Sequence, residues 1–176
     1  MNLKPLLPGH VLVSPHRVVP RLTDLTTDEV TDLFATVQKV EKMLARVTFS
    51  DSAAGTVGKP KDGSFNIAVQ DGAEAGQTIP HVHCHIIPRR RNHDEGLESD
   101  EIYAKLAGEE GNVGGALWDR EHRPKPQGAF PKIEDADREA RTAEVMAEEA
   151  KFYKEQMELL ETETYNRVED IDARAS

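Results

Sequence analysis

Residues 81–87 read HVHCHII, so that histidines alternate with apolar residues. In a β-strand, successive side chains point to opposite faces of the sheet. The alternation predicts a strand from Pro80 to Ile87 that presents His81, His83 and His85 together on one face, while the apolar residues between them pack into a core. Three histidines on one surface are much harder to attribute to chance than a single one.

The residues before this strand predict two further strands and a helix. Short β-branched stretches bounded by turn residues predict strands at residues 9–14 and 65–70. Apolar residues at helical spacing predict a helix from about Thr27 to Val47. Thr26 and Glu29 would form a capping box at the beginning of this helix, because each side chain can bind the other residue's backbone N–H.

The C-terminal part of the chain is charged and predicts a long helix from about Asp135 to Glu161. Its apolar residues repeat at spacings of three and four, which makes a narrow seam. We expect this seam to dock on the domain, or the end of the chain to be disordered, rather than a dimer zipper to form. The predicted division is a domain core at 1–106, a Gly/Pro-rich loop at 107–133, the helix at 134–163 and a disordered tail at 164–176.

Length, charge and cysteine content restrict the class of protein. The 176 residues favour one domain, and the net charge of -10 disfavours nucleic acid as a partner, since phosphate backbones favour clustered Lys and Arg. The one cysteine, Cys84, cannot form an intramolecular disulfide, which fits a reducing compartment. No apolar run is long enough to span a membrane, and the N-terminus lacks the features of a signal peptide. We expect a cytoplasmic or nuclear protein without a membrane partner.

The spacing of the three histidines leaves three interpretations open. The imidazoles could satisfy one another on a polar face, or two of them could bind one zinc ion. A neutral imidazole could also attack phosphorus, because it is uncharged and nucleophilic near neutral pH. No carboxylate or thiol on the same face completes a zinc site, since Cys84 points into the core. The segment Gly76-Gln77-Thr78 is better suited to donating hydrogen bonds to phosphate oxygens than to holding a cation. We therefore expect phosphate chemistry and no bound metal.

The histidine strand resembles the signature of the histidine-triad (HIT) family. Residues 70–78 (QDGAEAGQT) and 6–13 (LLPGHVLV) are similar to its Fhit branch, the dinucleoside triphosphate hydrolases, in a fungal-like form. The resemblance covers residues 2–106, and Ala143–Ala150 is similar to the family's C-terminal helix. It implies an α+β fold, with a long helix packed on an antiparallel sheet and a C-terminal helix. It also implies strand material before Asn2, so that the chain is expected to be N-terminally truncated.

The same resemblance implies an enzyme that hydrolyses dinucleoside polyphosphates, with diadenosine triphosphate giving AMP and ADP through a nucleotidyl-histidine intermediate. Magnesium or manganese would accompany the substrate phosphates, and the working unit would be a homodimer. His83 would be the nucleophile, and His85 would lie at the scissile phosphate. His81 would support the loop and strand geometry, with His10 as its partner.

The substrate-binding residues implied by the resemblance come from the N-terminus and from the segment before the histidines. They are Asn2, Gln70, Gly76, Gln77, Thr78 and Ile79, together with His85. Each has a simpler interpretation, such as a fraying terminus for Asn2 or an ordinary turn hydroxyl for Thr78. Tyr103 could close over the second nucleotide or anchor a short helix, and residues 89–91 are expected to be a solvated basic run.

Two other functions are compatible with these residues. A Hint-like hydrolase of AMP phosphoramidates is less favoured, because that branch prefers asparagine at the position of Gln70. A nucleotide-binding signalling module is suggested by the acidic C-terminal segment. The uridylyltransferase branch is disfavoured, because it has glutamine at the position of His85.

Overall fold

The computed structural model describes residues 2–51, 55–90 and 141–175, with side chains described as far as Glu163. These ranges contain three strands and two α-helices, besides short 3-10 turns. The strands are β1 (Val11–Val13), β2 (Gly63–Val69) and β3 (Cys84–Arg90), and the helices are α1 (Thr27–Thr48) and α2 (Ala143–Ala175). The expected α+β class is confirmed.

Strand β3 lies at the centre of the sheet and is antiparallel to both neighbours, in the order β1-β3-β2. His85 pairs with Leu12 of β1 and with Ala68 of β2, so strands flank it on both sides. This position fixes the backbone of His85 more firmly than an edge strand would. Sheet pairing therefore holds the backbone of one of the three histidines, His85, in a fixed position.

The prediction that β3 begins at Pro80 was wrong. Strands β1 and β2 reach β3 only as far as Cys84, so the residues before it lack ladder partners among the described strands. There the backbone N–H groups of His81 and Val82 donate to the carbonyls of Ile79 and Val19, each at 2.8 Å. His81 and His83 consequently lie in an irregular segment, and strict alternation does not apply to them.

Strand β3 also runs past Pro88, which the sequence pattern placed at its end. Pro88 lacks an N–H group and is normally confined to edges of sheets. Here β1 begins at Val11, opposite Ile86, so Pro88 is paired only with β2, at Phe65. The proline therefore removes no ladder hydrogen bond to β1.

Helix α1 begins as the capping box predicts. The Thr26 hydroxyl accepts from the Glu29 N–H at 3.3 Å, and the Glu29 carboxylate accepts from the Thr26 N–H at 2.8 Å. The apolar face of α1 packs on one side of the sheet, where the core contains Val37, Leu44 and Ile86. On the other side, the N-terminal segment packs Leu6 and Leu7 against Ile87. Both faces of β3 are therefore buried.

Helix α2 docks on this core, which is one of the two outcomes that its apolar seam left open. Tyr153 is buried in the core cluster, and Met157 and Leu160 pack against it. An ion pair between Arg46 and Glu163 at 2.8 Å ties α2 to α1. None of the helices in the described ranges has the length and apolar character needed to span a membrane.

The bounds of α2 differ from the predicted ones. It begins at Ala143, where the Thr142 hydroxyl accepts from the Val145 N–H at 3.3 Å, and the predicted start at 134–140 lies outside the described residues. Its helical backbone continues to Ala175, beyond the predicted end near Glu161 and into the segment expected to be a disordered tail. The extension has a simple cause, because residues 143–175 contain neither glycine nor proline.

Candidate active site

His85 is fully buried and belongs to a chain of hydrogen bonds that begins at the backbone of Leu6. The Leu6 N–H donates to His10 Nδ1 at 3.1 Å, and His10 Nε2 lies 3.0 Å from His85 Nδ1. A backbone N–H can only donate, so His10 Nδ1 carries no proton and His10 Nε2 must carry one. His10 therefore donates to His85, and the proton of the neutral His85 ring lies on its Nε2.

The Nε2–H group of His85 has no hydrogen-bond partner within the described part of the chain. Burial, with a smaller contribution from His83, lowers the pKa of His85 to about 3. The ring is consequently neutral near pH 7 and acts as a hydrogen-bond donor rather than as a cation. A buried donor without a partner costs free energy in the absence of a ligand, which is typical of a binding site.

His83 has the complementary arrangement. Its Nδ1 lies 2.8 Å from the His81 carbonyl oxygen, to which it must donate, so its Nε2 carries the lone pair. Burial lowers the pKa of His83, although the hydrogen bond to His81 acts in the opposite direction. The rings of His83 and His85 meet edge to face with centroids 4.9 Å apart. A nucleophilic nitrogen and a donating N–H therefore belong to adjacent rings.

His81 has a different hydrogen-bonding arrangement from these two rings. Its Nε2 donates to the Pro15 carbonyl oxygen at 2.9 Å, and its own carbonyl holds His83. The three histidines thus have three different hydrogen-bonding arrangements, which the alternation of residues in the sequence did not show. Among the described residues, no group of three His, Cys, Asp or Glu side chains is placed to hold a metal ion.

Cys84 occupies the core side of β3, as expected for a small packing residue. It is fully buried, and burial raises the pKa of its thiol to about 11. The Sγ atom lies 3.7 Å from the His85 carbonyl oxygen. The thiol is therefore protonated at neutral pH and is not a nucleophile.

The loop between β2 and β3 is closed by Gln77. Its side-chain Oε1 accepts from the Gly72 N–H at 2.8 Å, and its Nε2 donates to the Pro20 carbonyl at 2.7 Å. The N–H groups of Gly76 and Gln77 donate to the carbonyls of Ala73 and Gly72, each at 3.0 Å. Gly76 has φ 89°, a left-handed conformation that favours glycine. Gly76 and Gln77, which we expected to contact phosphate, thus use these donors to shape the loop.

The remaining predicted binding residues lie at the two ends of this loop. Gln70 is buried directly after β2, while Thr78 and Ile79 are half-buried before the histidines. Asp71 anchors the loop from outside, because its carboxylate accepts from the Leu22 N–H at 2.9 Å and from Arg21 at 3.2 Å. The loop starts next to Val69, which pairs with Cys84, the residue after His83. The structure also adds Asp71, which the sequence did not single out.

Asn2 is fully buried and does not fray. Its Nδ2 lies 3.1 Å from His10 Nδ1, and its Oδ1 accepts from the Lys4 N–H at 3.3 Å. Asn2 is thus placed against His10 rather than open to a ribose. His10 in turn contacts His85, not His81 as the resemblance implied, because the sheet places β1 directly beside β3.

Tyr103, Arg91 and the predicted Gly/Pro-rich loop at 107–133 lie outside the described residues, as does the predicted start of the C-terminal helix. Of the basic run that includes Arg91, Arg89 donates to the Asn66 Oδ1 at 3.1 Å, so this side chain is tied to β2 rather than freely solvated.

A family model described as "HIT domain" matches residues 1–92. The chain belongs to the HIT family. The family match ends before α2, so the HIT region of this chain holds the sheet, α1 and the histidine site.

Two curated relatives of this HIT chain cover most of its length. One, from Schizosaccharomyces pombe, is named bis(5'-nucleosyl)-tetraphosphatase [asymmetrical]; it is 46% identical over 162 residues, which is 88% of this chain and 80% of that protein. The other, from Arabidopsis thaliana, is named bifunctional bis(5'-adenosyl)-triphosphatase/adenylylsulfatase FHIT; it is 43% identical over 88% of this chain and 69% of that protein. The Fhit-type resemblance is confirmed.

A solved structure supports the fold alone. A hypothetical histidine triad nucleotide-binding protein from Sulfolobus tokodaii matches with a TM-score of 0.53 and 20% identity, covering 91% of this chain and 76% of that one. The HIT-like fold is therefore confirmed by comparison as well as by the sheet and helices.

Proposed function

We propose that this HIT protein is an enzyme that hydrolyses dinucleoside polyphosphates, with diadenosine triphosphate as the expected substrate and AMP and ADP as products. The names of the relatives from Schizosaccharomyces pombe and Arabidopsis thaliana support the substrate class. The observation that supports the chemistry is that two adjacent rings carry complementary groups: His83 Nε2 has a lone pair, and His85 Nε2 has an N–H without a partner among the described residues.

In the first step of this proposal, His83 Nε2 attacks the α-phosphorus in line. An N–P bond forms while the bond between that phosphorus and the bridging oxygen breaks, and ADP leaves with the electron pair. The His85 N–H can donate to the bridging or equatorial oxygens, where negative charge develops. The His81 carbonyl stabilises the positive charge that the His83 ring acquires, because it accepts the Nδ1–H at 2.8 Å.

In the second step, water attacks the same phosphorus and the N–P bond breaks. AMP is released, His83 regains its lone pair, and the water loses a proton to solvent or to phosphate. A magnesium or manganese ion carried by the polyphosphate would neutralise part of its charge. A homodimer, and a cytoplasmic or nuclear location, are further parts of this proposal.

The proposal is tested by measuring initial rates with three substrates: diadenosine triphosphate, diadenosine tetraphosphate and an AMP–lysine phosphoramidate. Wild type is compared with His83→Asn, which removes the nucleophile but keeps a polar side chain of similar size. A denaturing quench at alkaline pH preserves the N–P bond, so that AMP attached to the His83 peptide can be detected by mass spectrometry.

We expect rapid cleavage of a dinucleoside polyphosphate and an adenylylated His83 peptide in wild type only. Rapid cleavage of the phosphoramidate without turnover of either dinucleotide would favour the Hint-like activity instead. Tight dinucleotide binding with no turnover of any of the three substrates would favour a signalling module.

A further inference from the structure

Helix α2 lies outside the HIT match, yet Arg141, two residues before its start, contacts the segment that carries Asn2. The Arg141 N–H donates to the Leu3 carbonyl oxygen at 3.1 Å. This hydrogen bond joins the C-terminal part of the chain to the N-terminal segment. It is separate from the contacts that α2 makes with α1.

Arg141 is itself anchored to the docked face of α2. Its guanidinium forms an ion pair with Glu149, and the other oxygen of that carboxylate accepts from the Tyr153 hydroxyl at 3.2 Å. Tyr153 is buried in the core cluster, so Arg141 is linked through two contacts to the most firmly packed point of the helix. Docking of α2 therefore fixes where the Arg141 N–H lies.

The N-terminal segment is in turn joined to His85. Asn2, next to Leu3, bonds to His10 at 3.1 Å, and His10 Nε2 lies 3.0 Å from His85 Nδ1. All three side chains, of Asn2, His10 and His85, are fully buried. A continuous series of contacts thus connects α2 with His85, whose Nε2–H would donate to the substrate in the proposed reaction.

We propose that Arg141 is a positioning residue, which anchors the segment at residues 2–6 so that His10 holds His85 in the Nε2–H tautomer. Helix α2 is then part of the catalytic arrangement and not only a cover on the core. The effect on catalysis rests on the proposed function, whereas the effect on the tautomer does not. Arg141 acts through Leu3, Asn2 and His10 and need not touch the substrate.

The test compares full-length variants that differ in which anchor they lose. Arg141→Pro deletes both the N–H that donates to the Leu3 carbonyl oxygen and the guanidinium that pairs with Glu149, and it removes no hydrogen bond within α2, whose first residue is Ala143. Arg141→Ala keeps the N–H but removes the ion pair to Glu149. The matched control is Arg46→Ala, which breaks the 2.8 Å pair with Glu163 and leaves the contact with Leu3 intact. Thermal unfolding establishes that each variant is folded.

The primary measurement is the imidazole nitrogen NMR spectrum of His85, in which protonated and unprotonated ring nitrogens have distinct shifts. We expect Nε2 protonation in wild type and in Arg46→Ala, and a mixture of tautomers in Arg141→Pro, with a smaller change in Arg141→Ala. For diadenosine triphosphate, we expect kcat of Arg141→Pro to fall roughly tenfold to a hundredfold with KM little changed, since misplacement of a catalytic group costs that much.

A His85 spectrum unchanged in a folded Arg141→Pro would overturn the proposal, and so would an equal change in Arg46→Ala. If Arg141→Pro does not fold, the same comparison is decided by Arg141→Ala. If wild type fails to hydrolyse any dinucleotide, the proposed function fails, but the spectra still decide whether Arg141 positions His85.

Discussion

Acidification should destabilise this protein through His85, because burial of this ring opposes its protonation in the folded state. Burial holds the pKa of His85 at about 3 in the folded protein, against an ordinary value of 6.5. Below pH 6.5 the unfolded chain binds a proton that the folded protein does not, so stability falls as pH falls. At pH 4.5, two units below 6.5, the loss is about 3 kcal/mol, since one unit corresponds to about 1.4 kcal/mol.

This loss continues until about pH 3, where the folded protein also binds the proton. The assay is urea unfolding of wild type and of His85→Gln at pH 7 and at pH 4.5. Glutamine cannot titrate, and its carbonyl oxygen can accept from His10 as His85 Nδ1 does. The free energy of unfolding of wild type should fall by roughly 3 kcal/mol more than that of the variant. Equal losses in the two proteins would refute the assignment of His85 as a buried neutral ring.

Three other substitutions or reactions test separate parts of the site. His83→Asn should reduce kcat by about four orders of magnitude or more while the dinucleotide still binds, as measured by steady-state rates and by calorimetry. Gln77→Leu should lower the free energy of unfolding by about 2–4 kcal/mol, because the Gly72 N–H and the Pro20 carbonyl lose their partner. Urea titration measures this loss, and a change below about 0.5 kcal/mol would contradict the role of Gln77 in closing the loop. Cys84, whose pKa is raised to about 11, should resist iodoacetamide at pH 8 in the folded protein and react once urea unfolds it.

Local sequence signals predicted the parts of the fold that depend on neighbouring residues. The capping box at Thr26 and the apolar periodicity after it placed α1 within one residue of its observed bounds. The apolar seam predicted the helix of α2 but left docking and a disordered end both open; the structure packs Tyr153, Met157 and Leu160 on the core, since exposing them to water would cost free energy. These predictions need no knowledge of distant contacts.

The division of work among the histidines could not be read from their spacing. It depends first on where β1 and β2 end, because both end opposite Cys84 and leave His81 and His83 outside the ladder. It depends also on backbone groups that bind the histidines, such as the Leu6 N–H and the Pro15 carbonyl. Such contacts leave no side-chain pattern in the sequence. The bracing role of Gln77 is hidden for the same reason, since its partners are backbone atoms.

We propose that His83 carries the nucleotide between two displacements at phosphorus. The most direct measurement is the stereochemical course of hydrolysis, with a dinucleotide substrate that has a sulfur-labelled, chiral α-phosphorus and with isotopically labelled water. Two in-line displacements, first by His83 and then by water, each invert the phosphorus. We predict net retention of configuration, and net inversion would contradict a mechanism through His83, because it would mean that water attacks the substrate directly.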